Sequence, residues 1–291
     1  MKTPKASNRP SLLTFAFMLV LIYSIAANPE YVFAQRLSDI EGNFAESEIS
    51  MLFARGIVTG AGARFFPARP VTRAEFAKML VTTLGYGDDA REIQNYSGAF
   101  SDIDGHWAAG YITEAWELGI VKGEGGRFYP DRSINRAEMV AMLLRAFNVK
   151  EGNDGEKSQQ VLEKFRDRSW IPVWAAPYVA AAVEKGIVKG TPEGRFEPLR
   201  PAARAEAAKV LAAIAAKKGY IYDYFGLLTI ADDKPGEINI TINGSPVTFR
   251  LSPDAAAYKG EEKTDIKDLN GNKVFVIVNN EEVEFIKYIE E

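Results

Sequence analysis

The chain has 291 residues, 47% hydrophobic and 25% charged, the balance of a folded protein with a sizeable core rather than of a disordered one. It has no cysteine and a single histidine, His106, which excludes a disulfide framework, a thiol nucleophile and any Cys-ligated or multi-histidine metal centre, so no cofactor and no metal is expected. The net charge of −4 is uneven: residues 219–291 hold 7 basic and 14 acidic side chains, which marks a boundary near residue 219, and bulk charge gives no sign of a nucleic-acid surface.

Lys2, Lys5 and Arg9 precede an uncharged run from Leu12 to Ala27, and Val32-Phe33-Ala34 offers small residues at a cleavage site. Residues 1–34 read as a secretory signal peptide cut after Ala34, the run being short for a membrane span.

Three units follow, read as residues 35–87, 98–150 and 161–218, each written to one template. Asp39, Asp102 and Asp167 align, as do Phe44, Trp107 and Trp174, the loop glycines Gly60, Gly123 and Gly190, and the prolines Pro67, Pro130 and Pro198. Each unit predicts helix, loop, helix. Ile112, Ala115, Trp116 and Ile120 share a helical face in the second unit, and Gly119 stops that helix. The last helix opens at TRAE (72–75), NRAE (135–138) or ARAE (203–206). Thr72 with Glu75 forms a capping box, and Asn135 with Glu138 can do the same. Ala203 cannot cap, so the third helix is expected to start less firmly, by about 1 kcal/mol. The polar stretches 88–99 and 148–160 read as exposed linkers, the second the more open to proteases.

The phrases FSDI-x-x-x-W-A, GIV-x-G, RF-x-P and TRAE, in this order and in triplicate, resemble the S-layer homology family over about residues 35–216. The resemblance implies three units in pseudo-threefold packing around a central three-helix bundle. It also implies noncatalytic cell-surface anchoring: an anionic, often pyruvylated, secondary cell-wall polysaccharide, or a peptidoglycan-linked polymer, bound in grooves between units.

The residues support that reading separately. A single unit has too little core to stand alone, so neighbours stack and leave repeated clefts. Arginine recurs at 64, 69 and 73, at 127, 132 and 136, and at 195, 200 and 204, in a region that is nearly neutral overall. Arg73, Arg136 and Arg204 open helices, where anions are favoured, and a guanidinium grips a carboxylate through paired hydrogen bonds. They are the leading ligand candidates, with Arg69, Arg132 and Arg200 evenly balanced between ligand and structure. Arg64, Arg127 and Arg195 read as structural or solvated. Asp39, Asp102 and Asp167 are either ligand contacts or ion-pair partners within each unit. Trp107 and Trp174 can stack sugar rings or fill core, and Gly60, Gly123 and Gly190 let backbone approach a sugar. The second unit keeps every landmark, so its groove is expected to be the best formed, with Arg136 mattering more than Arg204.

From Tyr220 the period changes to alternation, and Asn243-Gly244 and Asn279-Asn280 signal hairpins. Residues 220–291 read as a separate small β-barrel or sandwich of unknown role. The expected fold is therefore multidomain: an all-α repeat domain followed by an all-β one. A surface lattice is the alternative function. An enzyme is not expected, since no nucleophile–base set is present. The protein is expected outside the cell, at the wall.

Overall fold

The computed structural model describes residues 37–94, 98–149, 155–230 and 234–290. The signal segment, Ala34 and the middle of each polar stretch lie outside the described residues. Among the described residues, eight α-helices precede a six-stranded sheet: α1 Glu46–Ala54, α2 Arg73–Thr83, α3 Gly87–Glu92, α4 Ala109–Glu117, α5 Arg136–Ala146, α6 Gly155–Leu162, α7 Ala176–Glu184, α8 Arg204–Lys217, β1 Tyr224–Ile230, β2 Glu237–Ile242, β3 Ser245–Lys259, β4 Glu262–Lys263, β5 Lys273–Asn279 and β6 Glu282–Tyr288.

The first helix of each repeat (α1, α4, α7) ends at a glycine in the left-handed region: Gly56 at φ 67°, Gly119 at 70° and Gly186 at 66°. The second (α2, α5, α8) begins at the RAE phrase. Thr72 accepts from Glu75 N, and Asn135 from Glu138 N, while each glutamate returns a carboxylate to the cap N–H. Ala203 keeps only the glutamate half, through Glu206 Oε2 at 2.9 Å. Just before these helices the three segments meet in a closed triangle of backbone hydrogen bonds: Val71 N to Ala202 O at 2.9 Å, Ala202 N to Ile134 O at 2.9 Å, and Ile134 N to Val71 O at 3.0 Å. That triangle is the pseudo-threefold axis in its barest form. Each second helix then packs on the first helix of the next repeat: α2 on α4, α5 on α7, and α8 back on α1.

The stretches read as linkers contain α3 and α6. Ala90 of α3 is fully buried, and a Cβ on Gly110 would lie 1.8 Å from its carbonyl oxygen, so the glycine is what lets α3 seat on α4. The helix α6 buries Ser158 and Leu162.

In the sheet, β1 pairs with β2 and β5, β5 with β6, and β6 in parallel with β3, which returns to β2, so the pairings close on themselves. The 15 residues of β3 reach three neighbours because a bulge between Leu251 and Ala256 resets its register. Asn243-Gly244 makes the β2–β3 turn, with φ of 50° and 85°. The last turn falls at Asn280-Glu281, one residue later than the sequence suggested.

The expected fold class, an all-α repeat domain followed by an all-β one, is not met as stated. Residues 36–291 form one compact unit with a mixed sheet, and the repeat region itself carries isolated β-bridges, Pro70 to Ala203, Thr72 to Ser133 and Asn135 to Pro201. The reason is apolar: Tyr258, Ile277 and Phe285 of the sheet sink into the same core as Ile49 and Leu52 of α1. Side chains of this size contribute about 2 kcal/mol each when buried. Polar groups frame the junction. Lys287 Nζ donates to Ser47 Oγ at 2.9 Å, Tyr258 Oη and Ser50 Oγ share a bond of 3.0 Å, and Arg55 pairs with Asp223 at 2.9 Å.

Candidate functional site

The RAE arginines do not stay in their own repeats. Arg73 Nε donates to Phe128 O at 2.8 Å, Arg136 Nε to Phe196 O at 2.9 Å, and Arg204 Nε to Phe65 O at 3.0 Å. Each guanidinium also lies over the ring of that phenylalanine, at 4.5, 5.2 and 4.5 Å from its centroid. Each pairs with the glutamate of the repeat it enters: Glu138 at 3.3 Å, Glu206 at 3.2 Å and Glu75 at 3.1 Å. Burial draws all three arginines below the ordinary guanidinium range, and the facing glutamates oppose that; the groups stay charged. Arg136 and Arg204 also bond Lys189 O and Thr59 O, both at 3.2 Å, whereas Arg73 makes the first two contacts and not the third.

Each glutamate is a hub. Glu138 takes the cap N–H of Asn135, Arg132 of its own repeat and Arg73 of the previous one. Glu75 gathers Thr72 N, Arg69 and Arg204, and Glu206 gathers Ala203 N, Arg200 and Arg136. Two arginines thus converge on one carboxylate at every junction, and the outer arginine side chain is 45% exposed in the first repeat, 47% in the second and 38% in the third.

The aspartates hold the loops. Both oxygens of Asp39 accept successive N–H groups of Phe65 and Phe66, at 2.7 and 2.8 Å. Asp102 does so for Phe128 and Tyr129, and Asp167 for Phe196 and Glu197. The second residue of each pair sits at φ 59°, a costly conformation for a side chain larger than glycine, and the paired bonds fix it there. Burial pushes Asp39 and Asp102 upward in pKa, but these backbone donors outweigh it and hold both below the usual range. Arg64 and Arg127 lie 3.7 Å from the same aspartates and remain largely solvated. Gly60, Gly123 and Gly190 are fixed by packing: a Cβ on Gly123 would meet the Phe100 ring at 2.4 Å, and one on Gly190 the Phe165 ring at 2.5 Å.

A groove of about 740 Å³ opens between the second repeat's loop, α5 and α7. Arg73, Lys122, Arg132 and Arg145 line it against Glu124 and Glu138, with Tyr129, Trp174 and Tyr178 as aromatic walls and Gly123 on its floor. Trp174 is 50% exposed and so is not core; Trp107 and Phe44, at 51% and 59%, hold the same position in the other repeats. Arg145 Nε donates to Tyr178 Oη at 3.0 Å, with its guanidinium 4.6 Å from that ring's centroid. Among the described residues no carboxylate forms an ion pair with Lys122 or Arg145, although Glu124 and Glu138 line the same groove, and Arg145 Nη1 also donates to Ile120 O at 3.5 Å.

The family described as S-layer homology domain matches residues 36–77, 99–140 and 165–208. The chain carries three tandem S-layer homology domains. Among similar proteins, an amylopullulanase of Thermoanaerobacterium thermosulfurigenes is 36% identical over 197 residues, covering 66% of this chain and 10% of that protein. S-layer protein EA1 of Bacillus anthracis is 28% identical over 229 residues, 78% of this chain and 25% of its own. An S-layer protein of Bacillus licheniformis is 32% identical over 173 residues, 59% and 18% respectively. The chain therefore spans a quarter or less of these relatives. S-layer homology domains anchor proteins at the cell wall, and this chain is a cell-surface protein by those domains.

Within the S-layer homology repeats, the second supplies the loop and helix of the groove. The RAE arginine that reaches this groove is Arg73, because each such arginine crosses to the following repeat; Arg136 serves the junction beyond. Repeat comparison passed over Arg145, which stands where Thr82 and Ala213 stand; Lys122 has a counterpart in Lys189 of the third repeat and differs only from Thr59. A search for shared landmarks cannot find residues that make one repeat differ.

Proposed function

We propose that the chain tethers itself to the cell wall without catalysis, by holding an anionic secondary wall polysaccharide in the groove between the second and third repeats. The observation that carries this is the convergence of Lys122 and Arg145, lacking carboxylate partners among the described residues, with Trp174 and Tyr129 in an open groove. Ketal-pyruvate carboxylates suit paired cationic donors, and sugar rings suit exposed aromatic faces. Residues 1–34 are the export signal in this reading, and residues 220–291 are the carried or spacing unit.

For the three RAE glutamates, the reading without chemistry is supported by their partners. A glycosidase acid needs a raised pKa. Burial alone would raise Glu206, but Arg200, the Ala203 N–H and Arg136 hold it below the ordinary range. Glu75 and Glu138 are likewise bound as caps and ion pairs.

Co-sedimentation of the full chain with purified wall sacculi, with and without their pyruvyl groups, tests the reading. Retention that vanishes with the pyruvyl groups supports it; equal retention on both overturns the anionic ligand. Lattice assembly is the second reading, favoured by the S-layer proteins among the relatives. Light scattering that grows with protein concentration, in the absence of wall polymer, would support it.

A further inference from the structure

Three pseudo-equivalent clefts need not be three equal sites, and one position in the second helix of each repeat separates them. That position is Lys78 in α2, Ala141 in α5 and Lys209 in α8. Lys209 Nζ crosses its cleft to α1, donating to Phe44 O at 2.8 Å and meeting Glu48 Oε1 at 3.0 Å. Lys78 reaches over the Tyr111 ring of α4, 5.9 Å from its centroid. Ala141 has nothing to send across, and the groove lies open at this junction. One turn further, Arg145 points to Tyr178, which aligns with Tyr111 and Glu48, while Thr82 and Ala213 stand at its counterparts and carry no charge. The sheet adds to the asymmetry. Lys287 and Glu261 bond to each other at 3.0 Å and Lys287 to Ser47, so the α1 side of the third cleft already carries the β-unit.

We propose that the chain is monovalent: Ala141 opens one cleft of the three, Arg145 with Lys122 receives the ligand's carboxylate there, and lysines bridge the other two clefts. This rests on the anionic-glycan reading above.

The indole N–H signals of the full ¹⁵N-labelled chain read it directly, since Trp174 lines the open cleft and Trp107 the equivalent place in a bridged one. The probe is a methyl glycoside of a hexose bearing a 4,6-O-linked pyruvate ketal, with the ketal-free glycoside as control. Trp174 is expected to shift saturably with the ketal sugar while Trp107 does not move. Ala141→Lys and Arg145→Ala are each expected to weaken the titration at least tenfold, and Lys78→Ala and Lys209→Ala to leave it unchanged. Equal shifts at Trp107 and Trp174, or wild-type affinity in both Ala141→Lys and Arg145→Ala, overturn monovalency alone. No shift at any indole with the ketal sugar overturns the ligand reading and this inference together. If Ala141→Lys does not fold, Arg145→Ala decides, because its side chain lies at the lip of the groove.

Discussion

Arg204 Nε donates to the carbonyl of Phe65 at 3.0 Å across 139 residues of sequence. The bond joins the third repeat to the first, at a junction no linker spans. The same guanidinium also holds Glu75 and Thr59 O, with 13% of its side chain exposed. Arg204→Ala leaves those acceptors unpaired and is expected to cost about 2–3 kcal/mol. Arg204→Lys should recover less than half of the loss, since an ammonium cannot serve three acceptors in one plane. Urea unfolding of both variants measures this, and a lysine midpoint close to that of the wild type would contradict the geometric part.

Restoring the missing cap is the converse experiment. Ala203 has φ −75° and ψ 153°, close to Thr72 at −81° and 161°, so threonine fits the backbone as it stands. Ala203→Thr should raise stability by about 1 kcal/mol, or Tm by about 2–4 °C. An unchanged melting temperature would show that the Glu206 half of the cap already suffices.

The repeat template, the glycine stops and the Thr72–Glu75 cap were legible because each depends on residues close in sequence. The destination of the arginines was not. A repeat shows what every unit owns and not which neighbour receives it, so Arg73 looked like a resident of the first unit while it serves the Phe128 loop of the second. The union of sheet and helices was hidden for a similar reason. Alternation in β6 marks Phe285 as inward-facing, but cannot tell that inward means toward Ile49. Arg145 escaped because triplication draws attention away from whatever occurs once.

Acid should loosen the loops in a defined window. Asp39 and Asp102 have folded pKa values held below the unfolded value of about 3.9. A depressed carboxyl contributes stability that is whole above its unfolded pKa and fades as pH falls through the folded one. Asp102→Asn removes the charge and sets a donor NH2 where one of the two accepting oxygens stood, and should cost about 1–3 kcal/mol near pH 7. The gap between wild type and variant should narrow below about pH 4. Urea midpoints at pH 7 and pH 3 check this; a gap of constant size would show that the carboxylate charge contributes nothing.

Gly123→Ala should be destabilising without touching any charge. The added methyl would lie 2.4 Å from the Phe100 ring and 2.7 Å from Arg127 O, so ring and loop must both shift. Overpacking of this kind costs about 1–3 kcal/mol. Adding Phe100→Leu, which copies Leu37 of the first repeat, should return part of the loss in thermal melts.

Calorimetry should give one cooperative transition for residues 36–291, because Tyr258 and Phe285 share a core with α1. Two separate transitions would mean that the sheet melts independently of the repeats.

The β-unit sits at a particular seam of the repeat ring. Its chain continues from α8, while its side chains grip α1 through Lys287, Tyr258 and Asp223. It therefore straddles the seam between the last repeat and the first, where the ring lacks a covalent link. In the anchoring reading proposed above, a pull on the β-unit would load this clasp before the groove between the second and third repeats, so the hoop would fray away from the proposed site.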